Sequence, residues 1–305
     1  MPELPEVETL RRELSRAVKG KIIKLVQVKW PKLVKPLSVK VFTKKLIGQK
    51  IISADRRAKI LLLKLSKCDK KTKDCFLAIH LKMTGQLILR PKKGKLVIGG
   101  HPLPPSPNLP LGQGEGLNSN LPHKHTHIII SFTDGSTLYF NDIRKFGWLK
   151  ILDDESLNKL SAEFGPEALS SQFNLKKFQE ILKRYPNKKI KQLLTDQKLI
   201  AGIGNIYVDE SCFCAGLMPT RLVKNIKSQE ISKLLICIKR ILKLAILKGG
   251  TSADTYVKLN GRPGGFVPYL KVYGRKSKKC KRCGGVVEKI QLGGRGTHFC
   301  RRCQK

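Results

Sequence analysis

The chain has 305 residues, 41% hydrophobic and only 6% aromatic, which is enough for about two domains with buried cores and rules out a miniprotein. Its 61 Lys and Arg against 22 Asp and Glu leave a formal charge of +39, so a polyanion, nucleic acid foremost, is the expected partner; a Lys-rich proteome or adaptation to heat would explain part of the excess. The longest apolar runs fall far short of the roughly 20 residues of a membrane span, and the acidic, Pro-rich opening Met1-Pro2-Glu3-Leu4-Pro5-Glu6 is unlike a signal peptide, so a cytoplasmic protein is expected.

In chain order, Val7, Leu10, Leu14 and Val18 recur at near-helical spacing and predict an amphipathic helix over about 4–19. From 21 to about 152 the pattern changes to short β-branched runs bounded by turn residues, at 22–28, 50–54, 60–65, 76–82, 86–89, 126–132, 136–140 and 148–152. So many strands without intervening helices predict an antiparallel β-sandwich or barrel. A stretch rich in Gly, Pro, Asn and Ser at about 91–123 reads as a surface insertion. Beyond Gly165-Pro166 the period becomes 3.6, predicting helices near 174–184, 190–195, 206–215 and 228–248, followed by a turn-rich segment over 249–274. The expected fold class is α+β and multidomain: a β-sandwich domain with an N-terminal helix over 1–152, a helical domain over 153–274 and a cysteine-bearing tail over 275–305.

In that tail Cys280-x2-Cys283 and Cys300-x2-Cys303 are separated by 16 residues, the spacing of a structural zinc ribbon with four thiolate ligands and one Zn2+. Gly284-Gly285 and Gly293-Gly294 supply turns, and a segment this small needs the metal to fold. Four protein ligands leave no open position for catalysis. Arg275, Lys276, Lys281, Arg282, Arg301 and Arg302 surround the ligands and suit phosphate contacts. The other cysteines, 68, 75, 212, 214 and 237, are expected to be reduced thiols.

Removal of Met1 before the small Pro2 would expose a secondary amine. An α-amine titrates near ~8, so a useful fraction is neutral and nucleophilic at neutral pH, and a helix starting at about Leu4 would lower its pKa further. Glu3 and Glu6 are placed to flank that amine as general acid or base. The competing reading is plain helix capping, since Pro and Glu are favoured in a first turn.

Several motifs occur together in one order: the opening Met-Pro-Glu-Leu-Pro-Glu-Val-Glu-Thr, Arg56-Arg57-Ala58-Lys59, His80-Leu81-Lys82-Met83-Thr84-Gly85, Asp142-Ile143-Arg144-Lys145-Phe146-Gly147, Gly202-Ile203-Gly204-Asn205-Ile206-Tyr207, Val272-Tyr273-Gly274-Arg275-Lys276 and the four cysteines. With them the chain resembles the bacterial formamidopyrimidine-DNA glycosylases over nearly its whole length, apart from the insertion. The resemblance implies a β-sandwich, a helix-two-turns-helix domain and a zinc finger. It also implies a repair enzyme that excises oxidised purines from double-stranded DNA and cleaves the strand by β,δ-elimination; a nucleoid association is expected, and the lack of a repeat or heptad pattern leads to the expectation of a monomer.

By the same resemblance Pro2 is the nucleophile, Glu3 the general acid/base, Lys59 the proton donor for β-elimination and Arg295 the residue of δ-elimination. Met83, Arg144 and Phe146 are expected to fill the gap left by an extruded base. His125, Asn205 and Tyr273 are expected at DNA. The family's DNA-contacting lysine falls near Pro186, and Lys188, Lys189 and Lys191 are the residues to replace it, with Lys191 assigned to the contact. Taken singly, Lys59 reads as a solvated basic run and Met83 or Phe146 as core, and the alternating His123, His125 and His127 raise a metal cluster as a lesser alternative. A relative specific for oxidised pyrimidines is disfavoured by Leu4 and by the Met83, Arg144, Phe146 set. A non-catalytic zinc-ribbon nucleic-acid binder leaves Pro2-Glu3, Lys59 and Arg295 unexplained together.

Overall fold

The computed structural model describes residues 2–66, 74–93, 97–100, 121–251 and 264–305. They divide into two compact units, one built on Glu6–Ser161 together with Pro2, the other on Glu3–Pro5, Ala162–Ala253 and Gly265–Lys305.

In the first unit, helix α1 (Leu4–Val18) precedes β1 (Ile23–Val28), α2 (Val39–Leu46), β2 (Ile51–Arg57), β3 (Ile60–Leu65), β4 (Cys75–His80), β5 (Gly85–Arg90), β6 (Val97–Gly100), β7 (Thr126–Phe132), β8 (Thr137–Asp142), β9 (Trp148–Asp153) and α3 (Asp154–Ala162). The strands form two antiparallel sheets, β1-β7-β8-β5-β6 and β2-β3-β4-β9. Alternation places Ile128, Ile130 and Phe132 of β7 in one core with Leu61, Leu63 and Leu65 of β3 and with Leu10, Leu14 and Val18 of α1. The intervening Ile129 joins Ile88, Tyr139 and Leu121 in a smaller cluster on the other side of its sheet.

Three elements of this unit were absent from the sequence expectation. Helix α2 is rich in β-branched residues, yet Ser38 accepts the Val41 amide at its N-terminus and Phe42 and Leu46, four apart, are buried. Strand β6 lies within the expected insertion and pairs with β5. Helix α3 buries no side chain, so it leaves no apolar period to read; its start is fixed by Asp153 accepting the Ser156 amide at 2.8 Å. Of the expected insertion, 94–96 and 101–120 lie outside the described residues.

The second unit contains α4 (Leu175–Lys183), α5 (Ile190–Thr195), α6 (Asn205–Ala215), α7 (Ser228–Leu247) and the hairpin β10 (Glu288–Leu292) and β11 (Arg295–Phe299). Helix α6 is buried on every side from Ile206 to Phe213, because α5, α7 and β11 all pack on it. The finger has a core of its own, Val287 with Cys280 and Cys300, which closes over Phe213 and Val272. One expectation is corrected: Cys214 at the end of α6 and Cys237 of α7 form a disulfide and Cys75 is disulfide-bonded too, so of the described cysteines outside the finger only Cys212 is a free thiol. Among the described residues no helix is long and apolar enough to cross a membrane. The fold is α+β, with an antiparallel β-sandwich and N-terminal helix, a helical region and a C-terminal finger.

Candidate functional site

The four finger cysteines converge so that their sulfurs all lie within 4.8 Å of one another, with Cys283 and Cys300 3.5 Å apart and Cys280 and Cys303 3.8 Å apart. Four sulfurs about 2.3 Å from a central zinc stand about 3.8 Å from each other, so this set fits one tetrahedral Zn2+. The Arg282 amide donates to Cys280 Sγ at 3.4 Å, as a metal knuckle requires. A zinc held by these four thiolates would close the fold of the finger and hold its hairpin.

That hairpin turns through Gly293 and Gly294, at φ +56° and +73°, a two-residue turn that favours glycine at both positions. Arg295 follows at the exposed tip. Beneath it lies a buried network. Asp209 of α6 is fully buried; its Oδ1 accepts from Lys191 Nζ at 2.6 Å and its Oδ2 from the His298 amide at 2.8 Å. Lys191 Nζ and Asn205 Nδ2 both donate to the carbonyl oxygen of Gly296, at 3.0 and 3.1 Å. Lys191 was expected at a phosphate; it is instead 1% exposed, with its ammonium between Asp209 and the strand that carries Arg295. Burial lowers its pKa against the pull of Asp209.

Tyr273 packs edge-on to His298, with ring centroids 4.8 Å apart. Its segment is held by Glu210, whose buried carboxylate accepts the amides of Lys271, Val272 and Tyr273. Burial raises the Glu210 pKa against those three hydrogen bonds.

Glu3 belongs to the same unit and is 5% exposed. Its Oε1 accepts the Ile206 amide at 3.1 Å, in the first turn of α6, where unpaired amides and the helix dipole favour a carboxylate. A side chain at Gly204 would start 2.0 Å from the Glu3 carboxyl carbon, so the carboxylate fits only against glycine. Gln197 braces the loop: its Nε2 donates to the Ile203 carbonyl at 2.7 Å and its Oε1 accepts from the Gly202 amide at 2.9 Å.

In the first unit Pro2 is buried, while Met1 lies outside the described residues. Lys59 occupies the β2–β3 turn after Ala58, which takes φ +52°, and is 7% exposed. Burial, and after it the charges of Lys82 and Lys59, lowers the pKa of His80 to about 3. The hairpin is fastened to α1 by Glu8, which accepts from Arg56 Nε at 3.0 Å, from Arg11 at 2.9 Å and from Arg12 at 2.8 Å. Burial opposes ionisation of Glu8, but these guanidinium groups hold its pKa down at about 2.

Met83, Arg144 and Phe146 lie on two loops joined by one buried acid. Asp142 accepts the amides of Gly147 at 2.7 Å and Arg144 at 3.2 Å, and also the hydroxyl of Thr84, next to Met83. The side chains these loops display are exposed: Met83 40% and Phe146 55%, the latter under the Arg144 guanidinium at 4.5 Å. His125 joins this cluster through its carbonyl, which accepts the Asp142 amide at 3.0 Å. The histidines do not form a metal group, since His127 Nε2 is hydrogen-bonded to the Asp142 carbonyl at 2.8 Å and the four finger cysteines are the only metal-ligand cluster among the described residues. Burial, His127 and neighbouring lysines lower the pKa of His125.

Asp142, Asp209, Glu210, Gln197 and the need for glycine at 204 escaped the assignment of site residues. Asp142 and Gly204 stand inside motifs that were recognised; nothing in the sequence marks what they touch.

Comparison with known proteins fits this layout. Residues 1–149 match the formamidopyrimidine-DNA glycosylase N-terminal domain, 164–257 the formamidopyrimidine-DNA glycosylase H2TH domain and 277–305 the zinc finger found in FPG and IleRS. The formamidopyrimidine-DNA glycosylase of Carboxydothermus hydrogenoformans is 39% identical over 283 residues, 93% of this chain and 92% of its own length. That of Geobacillus kaustophilus is 38% identical over 286 residues, with coverage of 93% and 92%. The Lactococcus lactis Fpg in complex with an abasic site containing DNA superposes with a TM-score of 0.82 at 33% identity, and a mutant of that protein with a Fapy-dG containing DNA does so at 34%, each covering 100% of both chains. The chain belongs to the formamidopyrimidine-DNA glycosylase family.

Proposed function

We propose that this chain is a bifunctional DNA glycosylase and abasic-site lyase of base excision repair. It acts in the cytoplasm on nucleoid DNA, as a monomer, and removes oxidised purines such as 8-oxoguanine and formamidopyrimidines. The observation that carries the reading is the carboxylate of Glu3, one residue after Pro2, fixed on the Ile206 amide against a glycine. Such a group is held where it can move protons for a reaction at the neighbouring amine.

Once Met1 is removed, the Pro2 nitrogen attacks C1′ of the damaged nucleoside. The bond from C1′ to the base breaks, and the base leaves with a proton; Glu3 transfers protons as the sugar ring opens to an iminium. Loss of a C2′ proton then expels the 3′ phosphate, with Lys59 as proton donor, and a second elimination assisted by Arg295 expels the 5′ phosphate. Met83, Arg144 and Phe146 occupy the space left by the flipped base, while His125, Asn205 and Tyr273 contact the strand. Lys191 serves DNA indirectly, by setting the strand that carries Arg295. The zinc supplies folding energy to the finger, taken as 275–305, and no chemistry.

The test is borohydride trapping on an 8-oxoguanine:cytosine duplex. A covalent protein–DNA adduct is expected, and it disappears in Pro2→Gly or when Met1 is retained. Glu3→Gln is expected to abolish base release and keep DNA affinity. Absence of both adduct and nicking in the wild type would leave a non-catalytic binder; preference for an oxidised pyrimidine would point to the pyrimidine-specific relative.

A further inference from the structure

The second unit also holds a cavity of about 480 Å³ that the repair chemistry does not use. It adjoins Phe213, near the C-terminal end of α6 and eight residues, roughly 12 Å, along that helix from Asn205. Its floor is apolar, with Phe213 and Phe266 buried beneath Ile241 and Leu244 of α7. Its rim is cationic, made by the exposed residues Arg240, Lys271, Lys281 and Arg282. Arg282 lies over the Phe213 ring at 4.1 Å, and Lys281 donates to the Pro268 carbonyl at 3.3 Å, so the two finger residues are already turned over the opening.

We propose that this cavity is a docking site for an acidic segment of a partner protein, which inserts one aromatic or branched apolar side chain between the cations. The size lies within the range of ligand pockets, roughly 300–1,000 Å³. Charge selects the occupant. The one carboxylate in the lining, Glu210, is taken up by three backbone amides, and among the described residues none of the four rim cations pairs with a carboxylate. A neutral apolar ligand would leave those charges unanswered. A DNA duplex would answer them, but its phosphodiester chain has no apolar body for the floor and its bases are stacked away. An acidic peptide with a single large apolar residue supplies both.

The measurement is fluorescence anisotropy with a labelled peptide of four aspartates ending in phenylalanine, and with a second peptide in which glycine replaces the phenylalanine. The full-length protein is expected to bind the first at least about tenfold more tightly than the second. Arg240→Glu and Leu244→Asp are each expected to weaken the first peptide by about tenfold or more while leaving strand nicking unchanged; the exposed Arg240 keeps the test valid if Leu244→Asp fails to fold. Equal binding of the two peptides, or no effect of Arg240→Glu, would show only attraction to a +39 chain and overturn the site. Displacement by phenylacetate at concentrations matching the peptide would overturn a protein partner in favour of a small aromatic acid. The outcome is independent of the glycosylase reading, because neither probe is DNA.

Discussion

The loops at 81–84 and 143–147 in the first unit and the finger hairpin in the second solve one problem in two ways. Each displays exposed residues from a backbone fixed by a buried aspartate. Asp142 accepts amides two and five residues ahead in its own loop and reaches one neighbouring loop through Thr84. Asp209 instead binds the His298 amide 89 residues away and needs the Lys191 charge beside it. A carboxylate satisfied by local amides depends on few other elements. A buried ion pair ties three elements together, and losing either partner strands a charge in a dry interior. The buried network of the second unit is therefore expected to be the more fragile to single substitutions.

Substitutions that break this contrast can be ranked. The largest effect is expected for Gly204→Ala, whose methyl would overlap the Glu3 carboxyl group. Base excision in single-turnover assays should fall by about 10²–10⁴-fold with DNA affinity retained; normal excision would show that the carboxylate need not sit there. Next comes Cys283→Ser, or zinc removal by a chelator, which should disorder the finger and weaken duplex binding by on the order of tenfold or more. Normal binding by a zinc-free protein would remove the finger from the DNA interface.

Asp209→Asn should lower stability by about 3–5 kcal/mol, read from urea unfolding, because Lys191 is left buried without its partner. Among strands cleaved by the folded fraction, the proportion of δ- to β-elimination product should drop, since the support of Arg295 is loosened. The double variant Lys191→Met, Asp209→Leu should regain most of the stability. Asp142→Asn, by contrast, keeps an acceptor for one of its two amides and leaves no buried cation without its partner, so it should cost less.

The smallest effect concerns the Glu8 clasp. Its pKa is about 2 against an ordinary 4.5, so its stabilisation is fully present above about pH 4.5 and is lost as pH falls towards 2. Glu8→Gln should therefore lower the melting temperature at pH 7, and the gap to wild type should close between pH 4.5 and 2. A gap that persists at pH 2 would mean that the clasp acts by packing and not by charge.

Much of this was legible beforehand because its causes are local. Val7, Leu10, Leu14 and Val18 announce α1 by spacing alone, the β-branched runs bounded by turn residues announce most strands, and Cys280, Cys283, Cys300 and Cys303 carry their ligand pattern in two short pairs. Helix α3 was not legible because it buries nothing, and α2 because Val39, Val41 and Thr43 speak for a strand until Ser38 caps it and Phe42 packs. Lys191 shows the same gap at the site: a lysine in a basic stretch reads as a phosphate ligand, and only its place against Asp209 gives it another task.

What the amino-acid order fixed by itself was most of the elements, the finger and the chemical types at the N-terminus, since each depends on neighbours within a few residues. Tertiary structure alone decided which carboxylates became supports, that Glu3 meets an amide 203 residues away, and that a cavity with a cationic rim opens beside the far end of α6. Those facts depend on burial and on contacts between distant segments, and neither exists until the chain has packed.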